Sequence, residues 1–287
     1  MKINEILPQE HDFTEVLCPI AVMPKKLYFY GKLPENSPKR PKCVAIVGSR
    51  RNTKYGEEVA YRAAYDLAKK GVVVVSGLAY GIDSIAHRGA LDAGGVTVAV
   101  LGTQIDRIYP RDHIGLAKRI LEKGAIISEY APEDEVHHKT SFLDRNRIIS
   151  GLADVVLVVE ANIASGSLNT ASHALEQGRD LWAVPGPVTA PLSAGCNRLL
   201  KQGANAYTAP EDILNELFPA VRRRQKMVFG DTPEERDILE LVKSGVRDGE
   251  EIIERLGMEV SLFNQTVTLM EIKGMLRGLG ANKWVLG

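Results

Sequence analysis

A chain of 287 residues, 45% hydrophobic and 25% charged, is long enough to bury a core and excludes a collagen, a coiled coil or a wholly disordered chain. Its 36 Lys and Arg balance 36 Asp and Glu, so a broadly basic surface is excluded and any phosphate binding must come from a local patch. Three scattered cysteines, Cys18, Cys43 and Cys196, form neither a disulfide framework nor a CxxC metal pair, the usage of a reducing cytosol.

The first twenty residues carry Glu5, Glu10, Asp12 and Glu15 and lack a basic start followed by an apolar run, which predicts no signal peptide. No uncharged apolar stretch is long enough for a bilayer. The sequence therefore predicts a cytoplasmic protein with no membrane segment. Residues 1–42 are Pro-rich with little periodicity and are expected to form a short appendage. From Cys43 onward, β-branched runs alternate with helix-like segments. The predicted strands are Cys43–Val47, Val72–Val75, Thr97–Leu101, Ala125–Ser128, Val155–Val159 and Leu181–Val184. The predicted helices between them are Tyr55–Lys70, Ile82–Ala93, His113–Lys123 and Leu168–Gln177. A short strand at Ala204–Tyr207 and a helix at Pro210–Leu217 complete a domain spanning 43–220. Continuous apolar strands separated by helices predict an α/β fold: a mostly parallel sheet with helices on both faces.

Residues 221–230, with Arg222-Arg223-Arg224-Gln225-Lys226, have the composition of a basic linker, either a solvated tether or an electrostatic contact for DNA. Residues 231–287 change rhythm. Helical patterns at Glu234–Val242, Gly249–Leu256 and Ser261–Ile272 precede Gly274–Leu286, a candidate hairpin, which together predict a small winged-helix domain. Eleven acids against seven bases give this tail a net charge of −4, and Ser261–Ile272 holds no Lys or Arg. Phosphate neutralisation supplies most non-specific DNA affinity, so the tail is expected to contact protein or tune the main domain.

In open parallel sheets, ligands bind outside the carboxyl ends of the strands. Three predicted loops there are rich in small residues: Gly48-Ser49-Arg50-Arg51, Ser76-Gly77-Leu78-Ala79-Tyr80-Gly81, and Ser165-Gly166-Ser167. Small residues let backbone N–H groups approach an anion, and helix N-termini add partial positive charge. Neither GxGxxG nor GxxxxGK[ST] occurs in these loops, which disfavours a dinucleotide cofactor or ATP hydrolysis.

The densest constellation is residues 137–147, with Lys139, Phe142, Arg145, Asn146 and Arg147. Guanidinium forks suit phosphate oxygens, Asn can read a base edge, and an aromatic ring offers a stacking platform. The plainer alternative pairs Arg145 and Arg147 with Asp144, Asp154 or Glu160 and places Phe142 in the core. His137 and His138 lack a third ligand at metal spacing. No GxSxG elbow surrounds Ser76 or Ser165. Asp83 and His87, one helical turn apart, are expected as a helix cap and a surface histidine. Glu160 is the best candidate acid or base, with a structural salt bridge as its alternative role.

These words together resemble the DNA processing protein A family (DprA, also called Smf), from about Met23 to Leu217. They are Val44-Ala-Ile-Val-Gly-Ser-Arg50, Ser76-Gly-Leu-Ala-Tyr-Gly-Ile-Asp83, Ala86-His-Arg-Gly-Ala-Leu91, Tyr109-Pro110, Ser128-Glu129, Phe142-Leu-Asp-Arg-Asn-Arg147, Ser165-Gly-Ser-Leu-Asn-Thr-Ala171, Pro185-Gly186 and Asn197. The resemblance implies an extended Rossmann-like fold, a homodimer, and single-stranded DNA binding without metal or nucleotide cofactor. It also implies delivery of the RecA recombinase onto that DNA during natural transformation, and no covalent chemistry. Carried over, Gly48, Ser49 and Arg50 would hold a phosphate beside the Ser76-Gly77 loop. Lys139, Phe142, Arg145, Asn146 and Arg147 would track and stack the strand, and Ser165 and Gly166 would close the pocket. Many relatives have Pro where Leu143 stands and Arg where Tyr80 stands, and residues 1–42 are too few for the family's common N-terminal helical module. A competing resemblance is to lysine-decarboxylase-like nucleotide phosphoribohydrolases. These carry PGGxGT and a following catalytic Glu, whereas Ala164–Thr170 here has none before Glu176.

Overall fold

The computed structural model describes residues 2–35, 40–219 and 232–286, apart from the side chains of His138 and Lys139. Two compact units result, Met1–Pro219 and Ala220–Gly287. The expected basic linker at 221–230 lies outside the described residues.

The first unit is built on nine strands. They are β1 (Asn4–Ile6), β2 (Leu27–Gly31), β3 (Cys43–Val47), β4 (Val73–Ser76), β5 (Thr97–Leu101), β6 (Ala125–Ser128), β7 (Val155–Val158), β8 (Asp180–Ala183) and β9 (Asn205–Ala206). They lie in the order β1-β2-β6-β5-β4-β3-β7-β8-β9. From β6 to β9 every pairing is parallel; β1 and β2 add an antiparallel edge. The strand period of two sends alternate side chains to opposite faces. In β3, Cys43, Ala45 and Val47 join one apolar cluster while Val44 and Ile46 join another. Both faces must therefore be covered. Helices α2 (Lys54–Lys69) and α3 (Ile82–Asp92) cover the Val44 side through Ala60, Ala63, Ala64, Leu67, Ile82 and Ile85. On the other side, α6 (Asn146–Gly151) and α7 (Gly166–Glu176) supply Ile148, Ile149, Ala171 and Ala174. Full burial of one Val, Leu or Ile is worth about 1.5–3 kcal/mol, which makes this two-sided cover the main force holding the sheet.

Most predicted elements match within one or two residues, the ordinary uncertainty of element ends. Residues 1–42 differ. They are part of the sheet rather than an appendage: β1 and β2 extend it, and Phe13 and Leu17 are fully buried in its core. Their pattern is weak because β1 is a three-residue edge strand and β2, beside it, is half-buried along most of its length. Three further helices escaped the sequence pattern: α5 (His138–Asp144), α6, and α8 (Ala194–Lys201). Helices of six to eight residues complete too few turns to display a period. The remaining helices of the unit are α1 (Asp12–Glu15), α4 (Ile114–Ile120) and α9 (Pro210–Leu217).

The second unit holds α10 (Pro233–Lys243), α11 (Gly249–Leu256) and α12 (Val260–Ile272), followed by an antiparallel hairpin of β10 (Leu276–Gly280) and β11 (Lys283–Leu286). Thr232, Asp248 and Glu259 each accept a backbone N–H as N-caps of these helices. Ile238, Leu239, Ile252, Phe263, Val267, Met270 and Leu276 form the core. Glu235, 2% exposed, pairs with Lys273 at 2.8 Å. On α12 the solvent receives Leu262, Leu269 and Ile272 where a major-groove helix would carry bases.

His87 was expected on the surface; it is fully buried between α3 and β5. Thr97 donates its hydroxyl to the Val74 carbonyl at 2.6 Å. The same hydroxyl oxygen lies 2.7 Å from His87 Nδ1, so Nδ1 carries the proton and donates. Burial, with His113 and Arg145 adding like charge, lowers the His87 pKa to about 3. A depressed histidine pKa stabilises the fold above the unfolded value of about 6.5 and withdraws that stability as pH falls toward 3, by up to roughly 1.4 kcal/mol per unit. Urea midpoints taken between pH 7 and 4 should fall on this account, and His87→Gln should give a lower but flatter profile.

Candidate functional site

The strand order reverses between β3 and β7, because the chain runs outward from β3 to β6 and then returns to β7. Such a switch point opens a crevice at the carboxyl ends of the two strands. A cavity of about 450 Å³ lies there, lined by Gly48–Arg51 after β3, by Asn162 and Ala164–Ser167 after β7, and by Phe142, Arg145 and Asn146. The α7 N-terminus opens into it. Ser165 caps that helix, its hydroxyl accepting the Ser167 N–H at 3.4 Å, and a Cβ added at Gly166 would meet nothing within 4 Å. The site therefore offers free backbone approach and a helix dipole to an anion.

Three strand-end loops are locked to one another around this crevice. Gly81, at φ +74°, begins α3, and a Cβ there would sit 2.2 Å from the Ser49 carbonyl oxygen. The close approach lets Ile82 N–H donate to that same carbonyl at 3.1 Å. Ser76 is buried and donates to the Ile46 carbonyl at 2.6 Å. It is a strand-to-strand tie, not a ligand contact. Asp83 accepts the Gly77 N–H at 3.1 Å.

Arg145, Asn146 and Arg147 were expected to contact DNA; the structure shows each of them bonded within the protein, with Arg145 and Asn146 also lining the cavity. Arg145 is 4% exposed. Its Nη1 donates to the carbonyls of Gly77, at 2.7 Å, and Val100. Burial lowers its pKa to about 10 while Asp83 opposes the fall. The Asp83 carboxyl is in turn raised by burial, against Arg145 and the N–H groups of Gly77 and Ala79. Asn146 donates to Asn169 Oδ1 at 3.0 Å and to the Gly166 carbonyl at 3.3 Å, tying α6 to α7. Arg147 makes a two-pronged pair with Glu129 at 2.7 and 2.8 Å and donates to the Asp144 carbonyl. All three side chains are committed to the scaffold, which is the plainer reading with different carboxylates from those anticipated.

Arg50 and Phe142 remain at the mouth. Arg50 is exposed, with its guanidinium carbon 5.8 Å from the centre of the half-buried Phe142 ring, a cation–π distance. Ser49 is buried, and its hydroxyl accepts the Arg51 N–H at 3.1 Å, shaping the turn that aims both arginines. Lys139 lies in α5, and its side chain is outside the described set. Sequence reasoning passed over Arg51, which is exposed and lines the cavity, and Tyr109, whose ring lies 5.4 Å from that of Phe142. Tyr109-Pro110 was legible as a motif; its neighbour across the loop was not.

The acid–base candidates are occupied elsewhere. Glu160 is 3% exposed and accepts both the hydroxyl and the N–H of Thr53, at 2.5 and 2.8 Å, which anchors the start of α2. Burial pushes the thiols of Cys43 and Cys196 up to about 12. Among the described residues there is no cluster of three potential metal ligands, and no helix long and apolar enough to cross a membrane.

A small-residue crevice at the switch point of a doubly wound sheet, fronted by arginine and an aromatic ring, defines a Rossmann-like α/β protein. Residues 4–218 match the family model for DNA recombination-mediator protein A, and the chain belongs to that family. Over 175 residues it is 50% identical to the protein Smf of Escherichia coli, covering 61% of this chain and 46% of that one. It is 42% identical over 200 residues to the DNA processing protein DprA of Streptococcus pneumoniae, covering 70% and 69%. The chain spans about half the length of several curated relatives it matches. Among solved structures, DprA from S. pneumoniae superposes with a TM-score of 0.68 at 37% identity, over 76% of this chain and 75% of that one. DNA processing protein A from Helicobacter pylori, whose single-stranded DNA binding mode that structure addresses, gives 0.66 at 32% identity, over 77% and 97%.

Gly81→Ala is expected to lower stability by about 1–3 kcal/mol or more, since it adds a clash with the first loop to the strain of a positive φ. Gly71→Ala, also at positive φ but with open space around it, should lose only about 1–2 kcal/mol. Equal losses in urea denaturation would show that the Gly81 contact relaxes freely.

Proposed function

We propose that the protein binds single-stranded DNA at the crevice between β3 and β7 and, as a homodimer, helps place the RecA recombinase on that DNA. The observation carrying this reading is the exposed Arg50 set over the Phe142 ring at the mouth of a cavity fed by a helix N-terminus. A guanidinium can take a phosphate while the ring takes the attached base, an arrangement that suits an unpaired strand and not a closed duplex. The family match and the H. pylori structure support the ligand class. The phosphoribohydrolase alternative loses ground, because Glu160 accepts the hydroxyl and the N–H of Thr53 and Asp83 accepts the Gly77 N–H.

With Arg145 and Arg147 bonded internally, the exposed Arg50 and Arg51, with Lys139 as the sequence expects, would neutralise about two to three phosphates. The log–log salt dependence for a single strand should then have a slope of roughly −1.4 to −2. Arg50→Ala should weaken binding by about 10–100-fold through lost charge-assisted hydrogen bonds without moving the unfolding midpoint. Arg147→Ala should behave oppositely at first reading, lowering the midpoint because Glu129 is left half-buried and unpaired. Gel-shift titrations with matched single- and double-stranded oligonucleotides decide the matter: equal affinity for both, or no response to salt, sinks the proposal.

The second unit enters as a protein-contacting module. Residues 231–287 within it are net acidic, and its third helix presents Leu262, Leu269 and Ile272 where bases would be needed. A chain ending at residue 230 should keep single-strand affinity within about tenfold, or about 1.4 kcal/mol, of the full chain in the same salt. A larger loss would assign the tail to the DNA site.

A further inference from the structure

Tyr80 and Tyr109 are 43% and 50% exposed, large rings left in water beside a site that already holds Arg50 and Phe142. All four line one narrow cleft with Ala79 and Pro110, and Arg50, Ala79 and Phe142 also line the main cavity. The tyrosines therefore continue the mouth of the crevice and do not form a separate patch. Both rings are held before any ligand arrives. The Tyr80 hydroxyl donates to Asp112 at 2.7 Å, and its ring meets the His113 ring edge-on at 5.0 Å. His113 is itself anchored, its Nδ1 lying 2.8 Å from the Leu78 carbonyl. Tyr109 rests against Phe142 at 5.4 Å with the ring planes 43° apart.

A base inserted between Tyr109 and Phe142 would need roughly 6.8 Å, two stacking distances of about 3.4 Å. The observed 5.4 Å excludes that arrangement, so a base on Tyr109 and a base on Phe142 would lie next to one another and not between the rings. Tyr80 and Tyr109 carry no charge to meet a phosphate, whereas a fixed aromatic face gains about 1–3 kcal/mol from a stacked base and accepts any of the four. Because the rings are already oriented, little further freedom is lost on binding.

We propose that Tyr80 and Tyr109 form a second base-stacking subsite, which takes the nucleobase next to the one on Phe142. The inference rests on the single-strand reading above and adds to it a stacking row that runs from the crevice toward α4. Its ligand is an unpaired nucleobase of either purine or pyrimidine type, held through its π-face and not through its hydrogen-bonding edge.

The test uses the full chain and thymidine oligonucleotides titrated by fluorescence anisotropy, with a parallel set carrying one abasic residue at each position in turn. Tyr80→Ala and Tyr109→Ala should each lose about tenfold in affinity, while Tyr80→Phe and Tyr109→Phe stay within about threefold, since the ring and not the hydroxyl does the stacking. One abasic position should weaken the unaltered protein about tenfold yet leave the affinity of Tyr109→Ala unchanged, the sign that ring and base share one interaction. Should an alanine variant melt early, Tyr→Leu at that position keeps the apolar bulk without the π-face and should show the same loss. Alanine and leucine variants that bind as the unaltered protein does, while Arg50→Ala and Phe142→Ala bind weakly, overturn the subsite and leave single-strand binding standing. No binding of any oligonucleotide by the unaltered chain overturns both.

Discussion

The guanidinium of Arg145 sits at the point where three strand-end loops meet. It fills the space that the missing Gly77 side chain leaves and donates to carbonyls at the ends of β4 and β5. The Asp83 carboxylate, at the start of α3, answers its charge and holds the Gly77 N–H. A buried charge left without a partner is strongly destabilising, so the two groups must be placed together or not at all. That requirement fixes the second loop against α6, and Gly81 then fixes the second loop against the first. The crevice is thus braced from below by bonds among its loops.

This division explains a local charge economy in a chain with no net charge. The arginines richest in hydrogen bonds are interior and hold the loops. Those that face the solvent, Arg50 and Arg51, lie on a short turn shaped by a buried serine. The solvent-facing charge at the crevice is consequently modest, and the proposed recognition adds aromatic surface to it. A strand with unpaired bases satisfies both features at once, whereas a duplex satisfies only the first.

The two units follow the same logic with different materials. In the first, small residues and buried ions buy a precise pocket. In the second, capped helices around Phe263 make a simple apolar core and leave aliphatic side chains outside. A helix that exposes Leu262, Leu269 and Ile272 is suited to packing against protein and poorly suited to a phosphate-lined groove.

The sequence alone determined the parallel sheet, because strands buried on both faces must be continuously apolar and each must be followed by a covering helix. It also determined which loops line the crevice, since Gly48–Arg51 and Ser165–Ser167 can follow only the strands that precede them. It did not reveal β1 and β2, whose short, half-buried strands leave no clean period, or His87, whose burial depends on β5 supplying Thr97 ten residues away. Which arginines are buried and which reach the solvent was decided by tertiary structure. Arg50 and Arg145 are equally basic on paper, yet one ends in water and the other against carbonyls 68 and 45 residues distant in the chain. Periodicity records which side of an element is buried; the partner of a buried charge is chosen by how the elements come together in space.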